Sequence, residues 1–306
     1  MERVCIVGAG VIGSLFAAHL ARVCDVSVLT RRREHAEALE REGLRVTGRS
    51  DFTARLRASD EPAELGDPEL VIVATKGTEV ESAAARLAGR FAGATVMTVQ
   101  NGLGAEEIVR RHGEWPLISG VTFMSGTRHA DTHVEYILDT ATWIGPYAGT
   151  PFETVAAAGD LIRRAGLKVE VLPDLRPAQW SKLIFNATVN AVAALTGLPH
   201  DPHFADREGD ASLGHLVFEL VEEGRRVAAA AGVELHDDPW EMNVLATRRG
   251  SAHYPSMLED VEARRPTEID LITGSLVREA DRLGVPVPLH RTLYRLVKAR
   301  EASWRI

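Results

Sequence analysis

Gly8-Ala9-Gly10-Val11-Ile12-Gly13 stands between a short apolar strand, Val4-Cys5-Ile6-Val7, and the first helical pattern of the chain. That placement leaves few folds open. The first glycine permits a tight turn, the second lets backbone amides approach a pyrophosphate, and the third allows a helix to pack closely on its strand. The phosphates of a dinucleotide then meet the positive end of the helix dipole. A glycine hexamer alone says little. Between strand and helix at the N-terminus, Gly8 to Gly13 predict a dinucleotide site.

Further on, short β-branched runs alternate with helical patterns, the signature of a parallel α/β sheet. Strands are expected at 4–7, 26–29, 44–46, 70–74, 95–99, 117–121, 134–137, 143–144 and 168–171, and helices at 13–23, 33–42, 80–90, 105–112 and 152–165. Pro173 and Pro177 close the last strand, and beyond them the pattern is helical only, near 178–195, 212–231, 239–248, 256–264, 267–283 and 289–301. Prolines between these segments mark where helices start or stop. The length of 306 residues suits about two domains. The change of pattern divides them into 1–174 and 175–306, with a small-molecule site expected in a cleft between domains.

The second strand selects the dinucleotide. An NAD site usually carries an acid at the end of that strand, about 20 residues past the glycines, to accept from the ribose hydroxyls. Here Val26–Leu29 ends in Thr30-Arg31-Arg32-Arg33, and Asp25 comes too early. A 2′-phosphate suits an arginine fork, so NADP(H) is expected, with Arg31 as a cofactor residue, although the three arginines also read as a solvated helix start. Two more loops follow strands where such sheets gather ligands. Lys76, in Thr75-Lys76-Gly77, can face a phosphate or carboxylate, or be a surface lysine. Asn101, in Gln100-Asn101-Gly102-Leu103-Gly104, can donate to the nicotinamide ribose or substrate, or form an ordinary turn.

Lys182, Asn186 and Asn190 recur every four residues within an otherwise apolar helical run, Trp180 to Val192. Each step advances about 40° beyond a full turn, so the three line one stripe. A lysine and two carboxamides on an apolar helix are costly to bury without polar partners. With the glycine loop, the stripe suggests a lysine presented to a small polar substrate beside a nucleotide. A snorkelling lysine with two satisfied core asparagines reads as well from the stripe alone.

Composition removes several classes. Apolar residues make up 45% and charged residues 25%, and the net charge of −8 argues against a nucleic-acid surface. No stretch approaches the roughly 20 apolar residues of a membrane span, and with the first strand beginning almost at once no secretory leader is expected. The expectation is a soluble, cytoplasmic protein with Cys5 and Cys24 reduced. No His, Asp or Glu cluster has metal spacing, so no metal is expected. The helices past residue 210 could pair in a homodimer.

With these residues named, the chain closely resembles the ketopantoate reductase (2-dehydropantoate 2-reductase) family from Met1 to about residue 300. The markers are the glycine hexamer, Lys76, Asn101-Gly102-Leu103-Gly104, Trp180-Ser181-Lys182 with Asn186 and Asn190, Pro255-Ser256-Met257-Leu258-Glu259-Asp260-Val261, and Pro266-Thr267-Glu268-Ile269-Asp270 followed by Gly274. The resemblance implies an α/β fold class: an N-terminal Rossmann-type dinucleotide-binding domain, then an all-helical C-terminal domain of the 6-phosphogluconate dehydrogenase-like type. It implies NADPH-dependent reduction of 2-dehydropantoate to (R)-pantoate, a step toward pantothenate and coenzyme A, with Lys182 as proton donor. Asn186, Asn190 and Ser256 match substrate positions, and Asn101 matches a contact to both cofactor and substrate. Glu268 matches a glutamate that helps bind cofactor and orient the lysine, and Gly126 falls at a further cofactor contact. Taken without the family, Ser256 reads as an N-cap and Glu268 as a helix N-terminal charge.

Two positions depart from the family pattern. His200 follows Pro199 where asparagine is common, and His253 precedes the Ser-Met pair by three where asparagine is also common. Both align to the substrate region, and imidazole is bulkier than a carboxamide and can become cationic. A different 2-keto acid or 2-hydroxy acid, with the same hydride chemistry, therefore stands beside ketopantoate. A non-catalytic NADP-binding sensor is the third reading, opposed by the presence of both Lys182 and Glu268.

Overall fold

Apolar side chains along whole strands require a sheet covered on both faces, and the first part of the chain is built so. The structure, a computed structural model, describes residues 1–209, 211–248 and 254–304. It divides into two compact units, Met1–Gln100 with Ala105–Leu175, and Asn101–Gly104 with Arg176–Ile306. The first unit runs β1 (Arg3–Val7), α1 (Val11–Leu20), β2 (Asp25–Leu29), α2 (Arg33–Glu42), β3 (Leu44–Gly48), β4 (Phe52–Ala54), β5 (Arg57–Ser59), β6 (Leu70–Val73), α3 (Val80–Leu87) and β7 (Thr95–Thr98). It continues with α4 (Ala105–Arg110), β8 (Leu117–Thr122), β9 (Ser125–Ala130), β10 (His133–Leu138), β11 (Thr142–Tyr147), α5 (Phe152–Arg164) and β12 (Val169–Val171).

Eight strands form one sheet in the order β12-β11-β8-β7-β6-β1-β2-β5, and every neighbouring pair is parallel except β11 with β8. The period of two sorts the side chains. Val4, Ile6, Val28 and Ile72 pack on one face with Leu15, Phe16 and Ile162, while Cys5, Val71 and Val73 pack on the other with Val80, Leu87 and Val109. From β1 the chain moves out to β2 and later returns to β6 on the other side. Such a reversal opens a crevice beyond the carboxyl ends of the two central strands. The glycine loop leaves β1 there and residues 74–77 leave β6 beside it, with Ala74 N donating to Val7 O at 2.9 Å.

The expected α/β class holds, but the sheet is not purely parallel. A second sheet, β4-β3-β10-β9, stands apart from the first. Neither β4 nor β5 shows in the sequence because three residues are too few to display alternation. The third unexpected strand, β9, is polar and largely exposed, and its extended form comes from antiparallel pairing with β10. Tertiary pairing overrides local preference there.

In the second unit, α6 (Arg176–Thr196) is followed by α7 (Ser212–Ala230), α8 (Pro239–Thr247), α9 (Ser256–Glu262), α10 (Thr273–Leu283) and α11 (Pro288–Ser303). Most of α6 is buried, Lys182, Asn186 and Asn190 included, and Leu183, Ile184, Ala187 and Val192 sit in one core with residues of the helices around it. Starts follow the expected chemistry. Pro239 opens α8 behind Asp238, whose Oδ1 accepts from Trp240 N at 2.8 Å, and Pro288 opens α11. One expected helix is shorter. The apolar spacing over 267–283 suggests a single helix, yet α10 begins at Thr273, because Ile272, at φ −93° and ψ −94°, lies outside the helical basin. Residues 267–272 form a tight turn instead, with Glu268 O accepting from Leu271 N at 3.1 Å and Ile272 N at 3.0 Å. Among the described residues no helix is long and apolar enough to cross a membrane.

The glycine loop has little slack. A Cβ on Gly13 would stand 1.9 Å from the carbonyl oxygen of Gly8. Gly13→Ala should therefore destabilise the protein by about 1–3 kcal/mol, read as a lowered urea midpoint. A midpoint equal to that of the parent would contradict this packing.

Candidate active site

Asn101 follows β7 in sequence but belongs to the second unit. The cause lies in its neighbours. Gly102 has φ +92°, a left-handed conformation that suits glycine, and a Cβ there would lie 1.8 Å from Leu271 O. Leu103 N donates to that same carbonyl at 3.0 Å, and the Leu103 side chain packs on the helical core. The Asn-Gly dipeptide is thus a docked segment and not merely a turn.

The turn that receives it is braced from α11. Glu301 Oε1 accepts from Thr267 N at 2.8 Å and from Thr267 Oγ1 at 2.7 Å. Asp270 accepts from the Tyr294 hydroxyl at 2.7 Å and from Lys298 Nζ at 2.9 Å. Glu268 lies between these two anchors. It is five residues ahead of α10, so the dipole of that helix does not reach it. The Glu268 carboxylate is held by the turn and by Asn101.

Four of the expected residues meet here. Lys182 Nζ donates to Asn101 Oδ1 at 2.8 Å, and Asn186 Nδ2 reaches the same oxygen at 3.4 Å. The other end of the carboxamide, Asn101 Nδ2, donates to Glu268 Oε2 at 3.1 Å. One amide therefore turns its oxygen to the ammonium and its N–H to the carboxylate, which fixes its orientation by charge. Lys182 is only 7% exposed. Burial pulls its pKa down to about 8, and the charge of Glu268 partly opposes the fall. An amine of that pKa can hold a proton at neutral pH and release it to a developing alkoxide.

Asn190, one turn beyond Asn186, is also 7% exposed, and its side chain has no hydrogen-bond partner among the described residues. The Asn190 amide is not among the buried side-chain atoms left without a partner, so the reading of two satisfied core asparagines stays open there.

Ser256 is not brought into this cluster by any hydrogen bond among the described residues. It is the exposed first residue of α9, and Pro255 holds the capping position, so the N-cap reading is corrected. His200, aligned to the substrate region, is buried in the helical core. Its Nε2 lies 2.8 Å from Asn243 Oδ1, with the ring edge-on to Phe185 and Phe204. Imidazole there is a packing group. His253 lies outside the described residues.

In the first unit, Gly8 has φ +98°, and a Cβ on it would come within 2.8 Å of Thr75 Cγ2, so the loops after β1 and β6 touch. Gly10 is exposed, and a Cβ added to it would meet nothing within 4 Å. Among the described residues no contact requires glycine at that position, whereas a phosphate approaching the backbone would. Ala9, Val11 and Ile12 are half-buried between these glycines. Gly126 on β9 adjoins the same loop, since its Cβ would lie 3.1 Å from Val11 Cγ1 and 2.2 Å from Glu135 O. Gln100, which the sequence did not single out, donates from Nε2 to Val73 O at 2.8 Å and Thr75 O at 3.0 Å. Gln100 Oε1 and Thr75 Oγ1 are buried without a hydrogen-bond partner. Open space at Gly10 and two orphaned oxygens beside the loop fit a polar dinucleotide. Lys76 is exposed on the same loop as Thr75, and Arg31 lies 3.5 Å from Glu79, exposed at 77%.

Comparison with known proteins shows the family. Residues 4–149 match the family model described as ketopantoate reductase PanE/ApbA, and residues 174–301 match its C-terminal model. The chain is similar to the 2-dehydropantoate 2-reductase of Pyrococcus horikoshii, 30% identical over 300 residues that cover 98% of both chains. The chain belongs to the ketopantoate reductase family. Membership makes it an oxidoreductase acting on a CH–OH group, with a nicotinamide dinucleotide as cofactor. A PanE/ApbA family ketopantoate reductase from Ralstonia eutropha JMP134 has the same fold, with a TM-score of 0.89 at 28% identity over the whole of both chains. The D-mandelate dehydrogenase solved with NADH and anilino(oxo)acetate shares the fold at a TM-score of 0.88 and 22% identity, again over both whole chains.

Within this family member the residues that sequence reasoning missed are the braces. Leu271 acts through a backbone carbonyl, which no side-chain motif reveals. Glu301 is 34 positions from Thr267, beyond any local periodicity. Gly102→Ala should break the docking of Asn101, lowering stability by about 1–3 kcal/mol in urea titrations. Parental stability would show that the approach to Leu271 is loose.

Proposed function

We propose that the chain reduces 2-dehydropantoate (ketopantoate) to (R)-pantoate with NADPH, a step toward pantothenate and coenzyme A. Residues 1–174 serve as its nucleotide domain and 175–306 as its substrate domain. The observation that carries this is the buried amine of Lys182, at a pKa near 8, fixed on Asn101 beside the Glu268 carboxylate. When bound, NADPH supplies the hydride that the keto carbon accepts. The glycine loop, Arg31, Lys76 and Gly126 are the cofactor residues, with Asn101 and Glu268 completing its contacts.

Lys182 performs the proton step. Its N–H donates to the substrate's keto oxygen, stabilises the negative charge that develops there, and transfers one proton to form the hydroxyl. Hydride and proton together convert C=O to CH–OH. Glu268 keeps the amine protonated at neutral pH, and Asn101 aims it. Asn190, which makes no side-chain hydrogen bond among the described residues, and Asn186, with a long contact to Asn101, offer donors and acceptors to the substrate's carboxylate or hydroxyl. Ser256, exposed at the start of α9, is the further substrate residue that the family resemblance implies. Of the two histidines that favoured a different 2-keto acid, His200 is engaged in the core, so that reading rests on His253.

NADPH consumption against a panel of 2-keto acids tests the substrate. Ketopantoate should turn over faster than an analogue lacking the 4-hydroxyl, and equal rates would leave the reaction class but remove the substrate. Lys182→Ala should lower kcat on the order of 10²–10⁴-fold; full activity would remove the proposed proton donor.

A second test is the pH dependence. The rate requires protonated Lys182, so it should fall as pH rises through about 8. Glu268 raises that pKa, so Glu268→Gln should move the fall to lower pH. A profile that stays flat from neutral pH to well above the Lys182 value would contradict the lysine's role.

A further inference from the structure

We propose that Glu79 sets how strongly this chain prefers NADPH to NADH. The inference rests on Arg31 being the ligand of the adenosine 2′-phosphate. Of the three arginines after β2, Arg32 is engaged by Asp131 at 2.5 Å and Arg33 by Glu37 at 3.1 Å, one turn along α2. Arg31 faces Glu79, with Nη1 to Oε1 at 3.5 Å and side-chain exposures of 77% and 45%.

Glu79 stands on the segment that follows Lys76, directly ahead of α3. A carboxylate from the loop after β6 thus reaches the guanidinium at the end of β2. An NAD site usually draws its acid from the end of β2 itself, where it accepts from the ribose 2′-hydroxyl. That acid is missing from this sequence at its usual place, and Glu79 supplies one from another loop.

The two cofactors then meet different electrostatics. A 2′-phosphate brings a charge of about −1.5 to −2 at neutral pH, and it must share Arg31 with Glu79 or displace the carboxylate. A 2′-hydroxyl brings no charge and can donate to Glu79 without breaking the ion pair. Arg31 favours NADPH and Glu79 works against it, so the chain accepts both cofactors with modest discrimination. Exposure keeps each effect small, because solvent and salt screen both groups.

Binding of NADPH and of NADH to the full-length protein, followed separately by reduced-nicotinamide fluorescence at low and moderate salt, tests this without turnover. Glu79→Gln should tighten NADPH about three- to five-fold, leave NADH no tighter, and show a smaller gain at higher salt. Glu79→Lys should move in the same direction and further. If Arg31→Ala weakens NADPH while Glu79→Gln leaves it unchanged, or tightens both cofactors alike, the role of Glu79 is overturned and the phosphate reading survives. If Arg31→Ala leaves NADPH binding unchanged, the phosphate reading fails, and this proposal fails with it.

Discussion

The carboxamide of Asn101, set between an ammonium and a carboxylate, is the interaction on which the helical unit's chemistry depends. Burying Lys182 without a partner would cost several kcal/mol or drive the amine to its neutral form. Asn101 Oδ1 at 2.8 Å lowers that cost by a hydrogen bond to a charged group, worth about 1.5–3 kcal/mol. Glu268 adds a negative charge and takes the other end of the amide. The balance leaves the amine protonated yet acidic. An exposed lysine would hold its proton too tightly to act as an acid near neutral pH, and a buried lysine without Glu268 would lose it.

The geometry of that triad is fixed by backbone as much as by side chains. Gly102 brings residues 101–104 onto Leu271, and Glu301, Tyr294 and Lys298 fasten the turn on either side of Glu268. Three stretches far apart in sequence therefore converge within the second unit. The helical stripe provides the amine, the 101–104 segment the hub, and the 267–272 turn the carboxylate. In the first unit the same economy holds at the strand reversal, where Gly8, Thr75 and Gln100 join the loops after β1, β6 and β7.

Features governed by short-range rules were legible in the sequence. The glycine loop announced itself by its place after β1, and the four-residue spacing put Lys182 and Asn186 on one face of α6, where both reach Asn101. Features governed by distant partners were not. The strand β9 is extended only because β10 pairs with it, and nothing in Ser-Gly-Thr-Arg-His-Ala shows that. The spacing after Thr267 resembles a helix, but docking of Leu103 on Leu271 and the dihedral break at Ile272 make it a turn. His200 aligns with substrate positions, yet its ring is drawn into the core by Asn243. Periodicity reports which face is buried; it does not report what lies against that face.

The chain has four lysines, Lys76, Lys168, Lys182 and Lys298, so ¹³C labelling at lysine Cε gives a spectrum simple enough to follow one by one through a pH titration. One resonance, lost in Lys182→Arg, should titrate near 8, and Asn101→Ala should displace it while leaving the other three in place. A Lys182 resonance that titrates near the ordinary lysine value of about 10.4 would mean that the amine is solvated and that Asn101 does not hold it.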